Sequence, residues 1–341
     1  MKNITIKDIA KELGISISTV SRALQDKPEI SLETRKKVRA FADLYHYMPN
    51  SLALRLRSQK TMIIGIVIPE IVHHFFSRVI SGVEKVANEK DYNVMICLSN
   101  ESYDKEKLNI KMLTNGSVDG LLVSLSKETL KKNDYEHLKN LSNYNIPLVL
   151  FDRVSDEINC DKVIVDDVSG AYRATRHLIE IGCKKIALIT TPDHISVGKL
   201  RAAGYKKALK ESGRAVENDF IVKVDEQFSV EEQIAVLLNN DDKLPDGILA
   251  VNEIYAARAM KIAKEKGLTI PEDIAIIGFT DGLISEFSTP SLSTVAQHGF
   301  TMGEHAAELL LERINQADSI EKNFETKIIS TDLRIRKSTE K

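Results

Sequence analysis

Two shortages in this chain each remove a class of protein. Its three cysteines, Cys97, Cys160 and Cys183, lack the spacing of a metal site. They read instead as structural free thiols in a reducing cytosol. No apolar stretch approaches the roughly 20 residues of a membrane span. The opening MKNITIKDIAKELG has no apolar h-region and so is not a secretory signal. The eight histidines form no HxxxH pair, and neither a P-loop nor a nucleophile elbow is present. The expectation is a cytoplasmic protein with no membrane partner, no metal, no cofactor and no catalytic constellation. With 341 residues and an ordinary apolar share of 43%, the chain can hold two or three domains and a sizeable core.

The formal net charge is only −2, but it is unevenly placed. Residues 1–60 carry 12 Lys and Arg against 6 Asp and Glu, whereas the remainder carries 35 against 43. A basic head on an acidic body is the electrostatic footprint of a nucleic-acid binder. Within the head, residues 4–24 read ITIKDIAKELGISISTVSRAL. Thr5 and Asp8 have capping-box spacing. Ile6, Ile9, Ala10 and Leu13 lie on one helical face, and Gly14 supplies the positive φ that turns the chain. Ser16 can cap a second helix, whose buried stripe is expected to be Ile17, Val20 and Leu24. Ser18, Thr19, Ser21, Arg22 and Gln25 then form its polar side, and Ile17, at the helix start, can face outward. A third helix is expected from Ser31 to about Tyr45, with Val38, Phe41, Ala42 and Tyr45 inward. A plain three-helix bundle with a solvated face competes with this reading. The hydroxyl-rich second helix and the charge favour a helix laid in the DNA major groove.

Tyr47-Met48-Pro49-Asn50 ends the bundle, because proline disfavours helix at the residue before it. SLALRLRSQK follows, with Ala53, Leu54 and Leu56 among Arg55, Arg57 and Lys60. So short a segment is not a stable helix alone in water. An apolar wedge flanked by cations suits the minor groove, where a leucine can unstack a base step.

The body alternates short apolar runs with helical patterns. MIIGIVI (62–68), YNVMICL (92–98), DGLLVSL (119–125) and PLVLF (147–151) form one series. KVIV (162–165), KIALIT (185–190), DFIVKV (219–224), DGILAV (246–251) and DIAIIGF (273–279) form a second. STVAQ (293–297), a helix from about Gly299 to Asn315 and a strand near 327–335 complete the chain. Buried strands alternating with helices imply parallel sheets covered on both faces. The simplest architecture is two doubly wound subdomains with a cleft between them. Ligands of such sheets sit beyond the carboxyl ends of the strands. Those ends offer His73, His74, Phe75 and Phe76, then Asp152 and Arg153, a loop leading to Arg201, Asn252 and Glu253, and Thr280 and Asp281. Carboxylates, an arginine fork and aromatic faces suit a small polyhydroxylated ligand.

TIKDIAKELGISISTVSRAL, TRKKVRAFADLYHYMPNSLALRLRSQKT and the later IGIVIPEI, VDGLLV and IAIIGF resemble the lac-repressor (LacI/GalR) family over essentially the whole chain. The resemblance implies an all-α helix-turn-helix head and a periplasmic-binding-protein-like α/β core of two doubly wound parallel-sheet subdomains. It places a DNA-binding domain at 1–48 and a hinge helix at 49–60. It places one core subdomain at 61–160 plus 291–322 and the other at 161–290 plus 323–341, the chain crossing between them three times. Ile17, Ser18 and Arg22 would touch base edges. Thr5, Ser16, Thr19, Ser21, Thr34 and Asn50 would meet phosphates or sugars. Leu56 would be the minor-groove lever, with Ala53 and Arg57 beside it. The partners implied are double-stranded operator DNA, a second copy of the chain and a small-molecule effector, expected to be a carbohydrate. Arg201 stands where the family commonly holds that effector. The chain departs from the family at His73-His74, where Asn-Pro is frequent, and at Glu253 and Thr280, where Asp is frequent. Thr280 and Asp281 both remain candidates for the second of these contacts. A repressor is the function expected. An activator or dual regulator with the same site, a sugar-binding transport protein and a cleft enzyme are the alternatives.

Overall fold

The computed structural model describes residues 4–45, 47, 60–239, 243–316 and 323–341. Asn50, Ala53, Leu56 and Arg57 lie outside the described residues. The chain forms two compact units, 1–61 and 62–341.

The first unit holds α1 (Ile6–Glu12), α2 (Ile17–Leu24) and α3 (Leu32–Leu44). The expected capping box is formed: Thr5 and Asp8 satisfy each other's backbone N–H. Gly14, at φ +64°, turns the chain between α1 and α2. Ser16 Oγ accepts the N–H of Thr19 at 3.0 Å, and Ser31 Oγ that of Thr34 at 3.2 Å. Ile9, Val20, Ala23 and Val38 have no exposed surface and form the centre of this small core.

The second unit contains two six-stranded sheets. In the first, β1 (Ile63–Ile68), β2 (Asn93–Leu98), β3 (Gly120–Val123), β4 (Leu148–Phe151), β5 (Asp161–Val165) and β11 (Thr326–Ile329) run in the order β11-β5-β4-β3-β1-β2. Every pairing is parallel. The two sheet faces are separate cores. Ile64, Ile66 and Ile68 pack under α4 (His74–Glu89) and α13 (Gly299–Asn315), while Val67, one pleat away, packs with Ile110 and Leu113 of α5 (Tyr103–Thr114). Two short helices, α6 (Lys127–Lys132) and α7 (Glu136–Lys139), lie between β3 and β4 in the chain.

The second sheet holds β6 (Ile186–Thr190), β7 (Ile221–Lys223), β8 (Gly247–Ala250), β9 (Ala275–Phe279), β10 (Ser293–Ala296) and β12 (Asp332–Arg334), in the order β12-β10-β9-β8-β6-β7. It is parallel except at β12, which is antiparallel to β10. Its helices are α8 (Asp167–Glu180), α9 (Ser196–Glu211), α10 (Val230–Leu238), α11 (Glu253–Glu265) and α12 (Leu283–Phe287).

Three boundaries differ from the sequence expectation. Strand 161–165 belongs to the first sheet, where it pairs with β4 and β11, and so does not open the second half. Strand 293–296 belongs to the second sheet, and only the following α13 returns to the first. The segment near 327–335 is two strands, one in each sheet. The chain therefore crosses near 166, 297 and 330 rather than 160, 291 and 322. All three cysteines are buried, and burial pushes the thiol of Cys160 up to about 12 and that of Cys183 up to about 11. No helix among the described residues is long and apolar enough to cross a membrane.

Candidate functional site

The head offers a helix face of small polar groups. Ile17 is 45% exposed, and Ser18 and Arg22 are also exposed, while Val20 and Ala23 anchor the opposite side of α2. Among the described residues Arg22 has only a loose ionic neighbour, Glu29 at 4.0 Å, and its side chain is about half exposed. Thr5 and Ser16 sit at helix N-caps with exposed side chains, and Thr19, Ser21 and Thr34 are half-buried. Helix starts of this kind favour phosphate oxygens, through free N–H groups and the helix dipole.

The core site forms where carboxyl ends from both sheets meet. A cavity of about 360 Å³ is lined by His73, Phe75, Phe76, Asp152, Arg153, Arg201 and Thr280. Seven of the ten residues expected from the sequence are therefore brought together. Arg201 is the most enclosed of the cations, at 5% exposed. Its Nε donates to Asp167 Oδ1 at 2.8 Å, another nitrogen donates to the Val251 carbonyl, and its plane stacks 4.1 Å from the Phe279 ring centre. Burial raises the Asp167 carboxyl, against the pull of Arg201. Asp152 has φ +58°, which aims it off the end of β4. Burial pushes its carboxyl up to about 6, although Arg153 and Arg201 favour the charged form. Arg153 donates through one nitrogen to both oxygens of Glu101 at 2.8 Å, leaving its buried Nε with no hydrogen-bond partner among the described residues. Phe75 and Phe76 meet edge-to-face at 5.3 Å and line the cavity while also belonging to the core beneath it.

The other three do not line this cavity. His74 faces a different pocket, with Arg78, His298 and Arg334. Asp281 lies in that pocket too. Arg336 holds it at 2.5 Å, Arg334 pairs with it, and the Thr294 hydroxyl donates to it at 3.1 Å. Of the Thr280/Asp281 pair it is Thr280, at φ +75°, that reaches the cavity, its hydroxyl donating to Gln297 Oε1 at 2.8 Å. Glu253 is 4% exposed and accepts from the Ser285 hydroxyl at 2.9 Å and the Gly282 N–H at 3.2 Å. It staples the loop after β9 to the start of α11.

Sequence reasoning passed over Glu70, Lys127, Glu226, Tyr255 and Gln297, all of which line the cavity. The rule of strand ends reaches Lys127 after β3, Glu226 after β7 and Gln297 directly after β10. Lys127 Nζ lies 2.5 Å from Glu226 Oε2, which ties the first subdomain to the second. Tyr255 donates to the other oxygen of Glu226 at 2.7 Å. Burial alone would raise the Glu226 carboxyl, but Lys127 and Tyr255 outweigh it and hold the group below its ordinary range.

Comparison with known proteins fits both units. Residues 5–50 match the model of bacterial regulatory proteins, lacI family, and residues 175–339 match a periplasmic binding protein-like domain. The HTH-type transcriptional repressor PurR of Vibrio atlanticus (strain LGP32) is 32% identical over 323 residues, 94% of this chain and 95% of that protein. The chain belongs to the lacI family of bacterial regulatory proteins. This regulator also shares its fold with the lac repressor dimer bound to operator and the anti-inducer ONPF (TM-score 0.84, 24% identity, 99% of each chain). The periplasmic binding protein/LacI transcriptional regulator from Alkaliphilus metalliredigens QYMF, complexed with D-xylulofuranose, is similar at 26% identity (TM-score 0.69, 82% of this chain and 100% of that one). This regulator is thus a DNA-binding transcription regulator with a helix-turn-helix head and a two-subdomain core.

Proposed function

We propose that this regulator is a cytoplasmic, homodimeric repressor whose operator affinity is set by a small polyhydroxylated ligand, a sugar or sugar derivative, in the cleft between the core subdomains. The observation that carries the reading is the cleft itself. Arg201, Asp152, Arg153 and Thr280 converge on one cavity, and a buried arginine nitrogen there has no hydrogen-bond partner among the described residues. Charged forks bind hydroxyl pairs bidentately, and Phe75 and Phe76 provide apolar faces for a ring. The Alkaliphilus relative, which holds a sugar, supports the same class of ligand. The protein acts by binding rather than by turnover.

A dimer is supported by apolar surface left open on the second unit. Ile96 and Leu98 on edge strand β2, Leu108 and Met112 on α5, and Leu283 and Phe287 on α12 are all exposed. Two copies related by a two-fold axis read two half-sites of a pseudo-palindrome. In this reading Ile17, Ser18 and Arg22 meet base edges, Thr5, Ser16, Thr19, Ser21, Thr34 and Asn50 meet the backbone, and Leu56, flanked by Ala53 and Arg57, wedges the minor groove. The ligand acts by binding one spacing of the two heads better than the other. A coupling of about 1–3 kcal/mol changes operator affinity roughly 5- to 150-fold.

Selection of bound duplexes from a random pool, with and without a sugar panel, tests the whole reading. A two-fold symmetric site whose retention changes with a sugar is the expected result, and a sugar-indifferent pool would refute ligand control. Leu56→Ala is expected to weaken specific operator binding while ligand affinity stays near that of the parent. Undiminished operator affinity by fluorescence anisotropy would remove the wedge.

The cleft also sets a pH dependence. The Asp152 pKa is raised, so ionising this carboxyl near neutrality costs folding energy. Its stabilising contribution is present below the ordinary carboxylate range and is lost as pH rises through about 6. Ligand hydroxyls donate to the ionised form, so ligand affinity moves the opposite way. Affinity is expected to fall about tenfold between roughly pH 7 and pH 5, as one ionisation near 6 requires. Calorimetric titration with the active sugar checks this, and an Asp152→Asn variant should show a flat profile. A flat profile in the parent would exclude Asp152 as an acceptor.

A further inference from the structure

The cleft does not end at the cavity that holds Arg201. A second chamber of about 970 Å³ continues from it, and the two share Lys127, Thr191, Ile195, Glu226 and Tyr255 as common wall. The outer chamber adds Ser102, Glu128, Lys131, His194, Asp225 and Gln227. Its mouth is solvent-facing, since Lys131, Lys132 and Gln227 are exposed.

The junction is built from polar groups that reach from both subdomains. Lys127 lies 2.5 Å from Glu226 across the cleft and 3.6 Å from Glu101 on its own side. The Thr191 hydroxyl sits on the wall common to both chambers, buried and without a hydrogen-bond partner among the described residues. A buried polar atom left unpaired is costly, and a ligand oxygen passing the junction would satisfy it.

The chemistry of the outer chamber is close to neutral. Glu128 is taken up by Lys132 at 2.9 Å and by the Tyr103 N–H at 2.8 Å, and Glu101 by Arg153. Among the described residues Lys131 makes no ion pair, and the carboxylate of Asp225 accepts only the Gln227 N–H, through one oxygen, at 3.0 Å. One cation, one carboxylate and one imidazole are therefore open to a ligand. Burial and the neighbouring Lys131 lower the His194 pKa, which favours the uncharged ring. Such a set donates to and accepts from hydroxyls and does not select for net charge.

Resting on the effector reading above, we propose that the effector is a neutral oligosaccharide of at least two rings, one in each chamber. The inner ring sits against Arg201, Asp152 and the Phe75–Phe76 pair. The glycosidic bond passes Thr191 and the Lys127–Glu226 pair, and the second ring meets His194, Lys131 and Asp225. A ligand lying across Lys127 and Glu226 touches both subdomains at once, so its extra contacts exist in full only in one cleft geometry.

Calorimetric titration of the full-length protein tests this. The probes are D-glucose with cellobiose and maltose, D-xylose with xylobiose, D-galactose with β-1,4-galactobiose, and glucose 6-phosphate. At least one disaccharide is expected to bind about tenfold or more tighter than its own monosaccharide, a difference readily read as Kd. His194→Ala, or Lys131→Ala on an exposed side chain, should bring that ratio close to one. A monosaccharide that binds as tightly as its disaccharide overturns the two-ring proposal and leaves the effector reading standing. Preference for glucose 6-phosphate overturns neutrality. If no sugar of either length binds, the effector reading itself fails, and this proposal with it.

Discussion

Arg201→Ala is expected to abolish the sugar response and to lower stability by about 3–5 kcal/mol, the usual cost of removing one partner of a buried ion pair. Arg201 and Asp167 are both nearly inaccessible, their side chains 6% and 4% exposed. Without the guanidinium, Asp167 remains buried with no counter-charge, the Val251 carbonyl loses its donor and Phe279 loses its stacked partner. Arg201→Lys keeps the charge but loses the planar fork, and should recover stability better than ligand affinity. Thermal unfolding and sugar titration on both variants separate the two effects. An Arg201→Ala protein with parental stability and sugar affinity would show that the pair neither supports the subdomain nor touches the ligand.

Gly303→Ala is the second large effect, and it acts through backbone. Helices α4 and α13 cross so closely that a Cβ on Gly303 would lie 2.0 Å from the Val79 carbonyl oxygen. The opposing Gly82 is in the same position toward Phe300, at 2.0 Å. Neither neighbour is a movable side-chain tip, so the helices must separate. Overpacking of this kind costs about 1–3 kcal/mol, and α13 also covers the sheet face made by Ile64, Ile66 and Leu122. A drop in Tm should appear without loss of the head's helices by circular dichroism. An unchanged Tm would mean that the crossing is looser than its geometry implies.

The head was readable in the sequence because its signals are local. Thr5 with Asp8, Gly14 and Ser16 each act within four residues, and each does in the structure what its spacing requires. The strands were readable because a strand buried on both faces is apolar at every position. Which sheet a strand joins is not written locally. β5 would read the same in either sheet, and its place depends on pairing with β4 and with β11, the latter more than 160 residues away in sequence. The single apolar stretch near 327–335 gave no sign that the chain changes sheets between Ile329 and Asp332.

The same distinction sorts the cleft. Asp152, Arg153 and Thr280 lie directly at strand ends, and the strand-end rule placed them. Glu253 and Asp281 carry suitable chemistry, but distant partners consume it: Ser285 for the first, Arg334 and Arg336 for the second. Lys127 and Glu226 also follow strands, but nothing local sets them apart, because their pairing exists only once the two subdomains face each other.

The most direct measurement compares the intact chain with residues 62–341 on one selected duplex, by fluorescence anisotropy over a range of salt. The intact protein is expected to bind with affinity falling steeply as salt rises, because phosphate contacts release counterions, and the truncated core should not bind. Equal retention of the duplex by residues 62–341 would contradict the assignment of DNA recognition to the first sixty residues.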